Sequence, residues 1–284
     1  MSWMLNHINT AEDDPFGIAG TISDWHYDEA TGVETNKHTY SSTDAGTTVP
    51  LIVAHDAFRT GDRDLQHLVI ETIEKYELMA SATAVEGPIR NPDGLCWARP
   101  NSKVKYVADN SVVYRGLSCL AALERAAGRL EQARFYDRQA RHTRQGMFDI
   151  LWNEDFKNWS WTMGIYNLKV SYPKQAFMPD AWCQYWQVFL KVTRPSDRKS
   201  ILSWQAFSEA WPRWMYNEIP KQSPHNEIAY CAVQMGEPED AVTMIRTCRD
   251  KFGGSNNWAW PWYIGEAGHT LRTCRLLIDS GYVN

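Results

Sequence analysis

Five acidic residues hold matching places along this chain. They are Asp44 in Ser42-Thr43-Asp44-Ala45-Gly46, Asp109 in Ala108-Asp109-Asn110-Ser111, Asp180 in Met178-Pro179-Asp180-Ala181, Glu227 in His225-Asn226-Glu227-Ile228, and Glu266 in Gly265-Glu266-Ala267-Gly268-His269. Each precedes or opens an apolar run with helical period, at spacings of 65, 71, 47 and 39 residues. Carboxyl groups gathered in one place suit acid and base chemistry, because neighbouring like charges push one pKa up and leave another group ionised. Capping is the competing reading of each one: an acidic side chain at a helix N-terminus is stabilised by roughly 0.3–1 kcal/mol through the macrodipole and the free N–H groups.

Aromatic residues form the second chemical signal. The chain has 14 Trp beside 13 Tyr and 9 Phe, and large flat rings either fill a core or stand in a cleft where the apolar faces of sugars stack on them. Several occur in polar, loop-like company: Trp25-His26-Tyr27-Asp28, Asn158-Trp159-Ser160-Trp161-Thr162, and Trp258-Ala259-Trp260-Pro261-Trp262. Residues 156–164 alternate aromatic and polar types, which predicts a small strand or hairpin with Trp159 and Trp161 on one face, as sheet packing or as a stacking surface. Trp258, Trp260 and Trp262 run straight into Glu266, and the expectation there is substrate binding at a cavity rim. Glu227 and its neighbour His225 are expected among the substrate-contacting residues.

The elements that must carry these residues are helical. Leu51, Ile52, Ala54, Ala57 and Phe58 form an apolar face that stops at Thr60-Gly61-Asp62, after which Leu65, Leu68, Val69, Ile73 and Tyr76 form the next. That is a helical hairpin. Further helices are expected from Val112 to about Gly128, and over residues 130–147, 182–190, 201–211, 237–252 and 263–277. Ser223-Pro224, as N-cap and first-turn proline, opens one that stops at Gly236. With a short helix at residues 2–9 the count is nine or ten. Residues 83–107, rich in Gly, Pro and Asn, are too long for a mere connector and read as lying over the mouth of a cavity.

Tyr40-Ser41-Ser42-Thr43-Asp44-Ala45-Gly46, leading into Val49-Pro50-Leu51-Ile52-Val53-Ala54-His55-Asp56-Ala57-Phe58-Arg59-Thr60-Gly61-Asp62, with its echoes at Asp109 and Asp180, resembles the (α/α) toroid enzymes known as six-hairpin glycosidases. The resemblance covers nearly the whole chain as a rhythm of hairpins. It implies an all-α fold in which residues 1–284 form one toroid domain, an incomplete six-hairpin ring at this length. It also implies a glycoside hydrolase acting on an oligo- or polysaccharide through paired carboxyl groups in a Trp-lined cleft. Asp109 is then the acid and Asp44 or Asp180 its partner. A polysaccharide lyase or sugar epimerase on the same fold is the alternative, with His225, His269 or a Tyr abstracting a proton and Arg90, Arg99 or Arg115 neutralising a substrate carboxylate. A non-catalytic helical scaffold is the third reading.

Composition narrows the partners. Twenty-nine Lys and Arg against 34 Asp and Glu leave a net charge of −5 and a pI near 5.9, with no basic run to follow a phosphate backbone, so nucleic acid is not the expected partner. No apolar run reaches the length of a bilayer span, and the first residues lack the pattern of a signal peptide, so the expectation is a cytoplasmic chain off the membrane. Six Cys without a C-x-x-C pair read as buried free thiols. His225 with Glu227, and His55 with Asp56, lack a third ligand at metal spacing, and no H-E-x-x-H, P-loop, G-x-G-x-x-G or G-x-S-x-G occurs. No metal and no cofactor is expected.

Overall fold

The computed structural model describes residues 1–164, 169–170, 176–219, 224–253, 258 and 262–283. The fold is all-α, 58% helical with a few short strands. The chain divides into two compact units: residues 1–152 with 161–170, and residues 153–160 with 171–284.

The first unit opens with α1 (Ser2–Asn6) and a hairpin of β1 (Trp25–Asp28) and β2 (Val33–Asn36), paired from Trp25 opposite Asn36 to Asp28 opposite Val33. Then come α2 (Thr43–Phe58), α3 (Arg63–Glu71), α4 (Ile73–Ala84), β3 (Lys105–Tyr106), α5 (Val107–Ala126) and α6 (Leu130–Gly146). The expected second helix of the first hairpin is split into α3 and α4 at Thr72, whose hydroxyl donates to the Leu68 carbonyl at 2.7 Å. Such back-bonding by a mid-helix hydroxyl competes with the regular ladder. Leu51 and Ala54 of α2, Met79 and Ala80 of α4, Val113, Leu117 and Leu120 of α5, and Tyr136 and Ala140 of α6 make a common core.

The seam between α2 and α5 is unusually close, and Gly116 is the reason. A Cβ there would lie 2.8 Å from both the Cβ and the carbonyl oxygen of Thr48. With a bare Cα at the crossing, two helix backbones approach within the reach of small side chains. Their N-terminal ends come to lie side by side as a result.

Residues 85–104 fold over those same ends. Thr43 N–H donates to the Ala98 carbonyl at 2.7 Å. The Asn110 side chain accepts from Cys96 N–H at 2.7 Å and returns a bond to the Cys96 carbonyl at 3.1 Å. One buried amide thereby satisfies both polar groups of a loop residue, as a buried backbone requires. The short β3 pairs with β6 (Thr162–Met163), which pairs with β7 (Lys169–Val170), all antiparallel. Between them in the chain lie the two-residue strands β4 (Trp152–Asn153) and β5 (Asn158–Trp159).

The second unit holds α7 (Trp186–Phe189), α8 (Arg198–Ala210), α9 (Glu227–Met235), α10 (Pro238–Phe252) and α11 (Ile264–Asp279). The helix expected over residues 182–190 appears as a 3-10 turn, Trp182–Gln184, followed by the single turn of α7. Its aromatic and β-branched residues are weak helix formers, and packing of their rings decides the backbone instead. Trp159, Tyr185, Phe207 and Trp214 are fully buried, with Tyr185 and Phe207 edge to face at 5.1 Å. Trp159, Trp204 and Trp214 are core, whereas Trp182, Trp186, Trp211 and Trp262 are partly buried and Trp258 is exposed.

The start of α9 is held by a carboxylate from another helix. Glu266, in the first turn of α11 and fully buried, accepts the backbone N–H groups of His225 at 3.1 Å and Asn226 at 2.8 Å. His225 sits at φ +56°, a left-handed conformation that a non-glycine residue keeps only when its surroundings hold it there. All six cysteines are free thiols, five of them buried.

Two stability measurements check this packing. Gly116→Ala should lower the unfolding free energy by about 1–3 kcal/mol in denaturant titration, because the added methyl meets helix backbone that cannot move aside. Glu266→Gln should cost about 1–3 kcal/mol, since an amide nitrogen then faces a buried N–H donor and one charge-assisted bond is lost. A variant of either kind as stable as the parent would show that the close seam or the clamp contributes nothing.

Candidate active site

Asp44 and Asp109 meet in the first unit. Asp44 is the second residue of α2 and Asp109 the third of α5, so the close α2–α5 seam sets their carboxyls on either side of one hydroxyl. Ser42 Oγ lies 2.7 Å from Asp44 Oδ1 and 3.5 Å from Asp109 Oδ2. Ser42 is also the N-cap of α2, accepting Ala45 N–H at 3.3 Å. The capping role that the sequence offered for Asp44 is thus shared: Ala45 N–H also donates to Asp44 Oδ1 at 2.9 Å. α5 has no side-chain cap.

The segment that delivers Ser42 is tied down upstream. Ser41 donates its N–H and its hydroxyl to the two oxygens of Asp24 at 3.1 and 3.2 Å. Tyr40 is buried, its hydroxyl on Asp14, in a network that also takes in Thr21 and Asn9. Arg99 donates to the Tyr40 carbonyl at 3.4 Å. A residue that must hold a hydroxyl between two carboxyls is therefore fixed from both sides.

Burial dominates the electrostatics of the pair. Asp44 is completely buried, and that burial, with the charge of Asp109 beside it, holds its carboxyl well above the usual carboxylate range. Asp109, half-buried, is pushed up to about 6 by desolvation, with the Ser42 hydroxyl pulling the other way. A pKa near 6 suits proton transfer close to neutral pH. In this conformation Asp44 exposes no surface to a substrate, so Asp109 is the member of the pair that can touch one.

Trp161 joins this region and Trp159 does not. Trp161 is partly exposed, stacked on Tyr106 at 5.6 Å and 11°, and its carbonyl accepts Val107 N–H at 3.1 Å at the start of α5. Trp159 is fully buried in the second unit, where its backbone exchanges hydrogen bonds with the Gln184 side chain at 2.8 and 2.9 Å. The expectation that the two rings share a face fails, because the chain passes from one unit to the other between them. Trp25, also singled out by its polar company, lines a pocket of 670 Å³ in the first unit together with His7, Asp13, Asp14, Asn36 and His38.

Asp180, Glu227, Glu266 and His225 lie in the second unit. Glu227 Oε1 is within 3.3 Å of Trp182 Nε1, 3.2 Å of the Tyr185 hydroxyl and 3.1 Å of His225 Nδ1. Burial works to raise Glu227, but the His225 bond and the charges of His225 and His269 outweigh it and hold the carboxyl below its ordinary range. Glu266, clamping two backbone N–H groups, is raised by burial. Its complete burial gives it a structural place, in contrast to the substrate contact expected from sequence. Asp180 is buried in the irregular turn Phe177–Ala181, with its carbonyl accepting from Gln184 at 2.9 Å. Trp258 is exposed and packs at 4.5 Å against Trp262, which is partly buried. Trp260 lies outside the described residues.

Three residues with roles here escaped the sequence reading. Ser42 was part of a quoted motif without a role of its own, although Ser-x-Asp before an apolar run is an N-cap signal. Tyr185 and Trp182, which converge on Glu227, read only as the apolar face of a helix. Of the arginines considered for a substrate carboxylate, Arg90 is buried on Thr143 and Gln139 and is committed to structure. Among the described residues no group of three or more His, Cys, Asp or Glu is placed to hold a metal ion, and no helix is long and apolar enough to cross a membrane.

No protein-family model and no curated protein matches this chain. Solved structures do. A GH78 family rhamnosidase of Bacillus sp. GL1 superposes with a TM-score of 0.53 over 75% of this chain at 14% identity, and a rhamnosidase from Klebsiella oxytoca with rhamnose bound gives 0.54 over 80%, also at 14%. The chain spans 22% and 41% of the length of those two proteins. At this identity the likeness is one of fold: the helical arrangement is similar to that found within glycosidases of the rhamnosidase type.

Proposed function

We propose that this chain is a carbohydrate-active domain that hydrolyses a glycosidic bond in an oligo- or polysaccharide. The observation that carries the reading is the pair of carboxyls at the starts of α2 and α5, joined by the Ser42 hydroxyl, in a fold like that found in rhamnosidases. Glycoside hydrolysis needs a carboxyl that holds a proton for the leaving oxygen and a second group that activates water or attacks the anomeric carbon. Asp109, pushed up to about 6, supplies the first. Asp44 stands beside it in the first unit and sets its charge. Trp161, Trp258 and Trp262 are candidates for sugar stacking.

A lyase or epimerase is the second reading, and one observation favours it: His225 and Tyr185 converge on Glu227, a constellation able to abstract a proton. An ultraviolet-absorbing unsaturated product from a uronic-acid glycan would replace the hydrolase reading with this one.

A glycan panel with reducing-sugar readout tests the proposal. Asp109→Asn keeps the shape and removes the transferable proton, so turnover should fall by roughly 10²–10⁴-fold with little change in melting temperature. Normal turnover in that variant would end the role given to Asp109. Because a general acid must be protonated to act, kcat/KM should decline as pH rises through about 6, the value set by the burial of Asp109; a profile flat across that region contradicts the assignment. Replacing Trp161 with Ala should weaken oligosaccharide binding by roughly tenfold or more while the far-ultraviolet spectrum stays native. Unchanged affinity there would make the ring a packing residue only.

A further inference from the structure

There are too few hydrogens around Ser42 for two ionised carboxylates. A serine hydroxyl carries one hydrogen and two lone pairs. Here the oxygen has Asp44 Oδ1 at 2.7 Å, Asp109 Oδ2 at 3.5 Å, and Ala45 N–H donating to it at 3.3 Å. If both aspartates were ionised, the hydroxyl hydrogen would serve one, and the other would face bare oxygen. One further proton on the pair removes the conflict. The carboxyl that holds it donates to Ser42, and Ser42 donates onward.

Solvation decides which carboxyl holds that proton. Asp44 has no exposed surface, and its Oδ2 is buried without a hydrogen-bond partner. A carboxylate there would leave charge on a buried oxygen that no donor among the described residues reaches. The N-terminus of α2 favours an anion, but by less than an unpaired buried charge costs. Among the described residues the Cys96 thiol on the overlying loop also acts on Asp44; burial pushes it up to about 12, against the pull of Arg90 beside it, so it brings no charge. Asp109 keeps some exposed surface, so its charge is less fully desolvated than a charge on Asp44 would be.

We infer that Asp44 is held as a neutral carboxylic acid that donates through the Ser42 hydroxyl to Asp109, and so acts as a positioning residue that fixes the pair's negative charge on Asp109. When Asp109 gives its proton to a leaving oxygen, the new carboxylate is met by the Ser42 O–H, itself polarised by the Asp44 O–H. Asp44 keeps its proton throughout. The use of Asp109 in catalysis rests on the glycosidase reading, whereas the proton count does not.

The test needs no substrate. In protein labelled with 13C at the aspartate carboxyl carbons, one aspartate should remain in the protonated shift range well above the pH at which ordinary carboxyls ionise, and that signal should vanish in Asp44→Asn. The Asp109 midpoint, identified by its loss in Asp109→Asn, should move by less than about 0.5 unit in Asp44→Asn, because asparagine presents the same neutral donor. A fall of about one unit or more would overturn the inference, since it would mean that a like charge had been removed. The absence of any persistently protonated aspartate, or its survival in Asp44→Asn, would do the same. Should Asp44→Asn fail to fold, Ser42→Ala supplies the reading: loss of the donor should raise the Asp109 midpoint, and an unmoved midpoint sinks the relay. These titrations use free protein, so a chain that turns over no glycan leaves the assignment standing. A chain that does, with titrations against it, loses only the role of Asp44.

Discussion

The contact between Gly116 and Thr48 is the constraint on which the first unit depends. Backbone approaches this closely only where a side chain is absent, and the closeness is what lets the first turns of α2 and α5 share one serine hydroxyl. Every later feature of the region follows from that shared hydroxyl. The loop over residues 85–104 closes on the same helix ends through Thr43 and Asn110, where Asp44 is fully buried and Asp109 keeps some exposed surface. Two residues of identical chemistry thereby acquire different working states.

The second unit treats its carboxyls in the opposite way. Glu227 is as buried as Asp44, yet donors from Trp182, Tyr185 and His225 surround one of its oxygens, and the charged form wins. Glu266 spends both oxygens on the backbone of His225 and Asn226. Burial alone therefore does not decide a carboxyl's state: what matters is whether donors replace the water that was lost. Asp44 lacks such donors at Oδ2, and Glu227 has them in excess.

Aromatic residues divide along similar lines. Trp159, Trp204 and Trp214 fill the core of the second unit, where large rings bury much apolar area each. Trp161 and Trp258 keep part of their surface open. Stacking of Trp161 on Tyr106 is notable for its place rather than its geometry, since the strand that carries Tyr106 leads directly into the helix of Asp109.

The sequence by itself determined the helices, their order and the acidic residues at their starts, because helical period, turn residues and caps are local properties. The runs before Phe58, from Val112 and from Leu130 were legible for that reason, although the helix read from Val112 begins at Val107. Where local preference was weak the reading failed: residues 182–190 were expected as one helix, but ring packing broke it, and Thr72 split another by bonding back to Leu68. The β1–β2 hairpin was not read at all, its residues being mostly exposed and without an alternating pattern. Only the tertiary structure decided which carboxyls meet. Capping and chemistry look alike in sequence, since both place an acid at a helix start. Asp44 and Asp109 are joined across 65 residues by a serine and a glycine whose roles depend on a helix crossing, and a crossing leaves no periodic mark along the chain. Trp159 and Trp161 are two residues apart and belong to different units, a separation that alternation along a strand could not reveal.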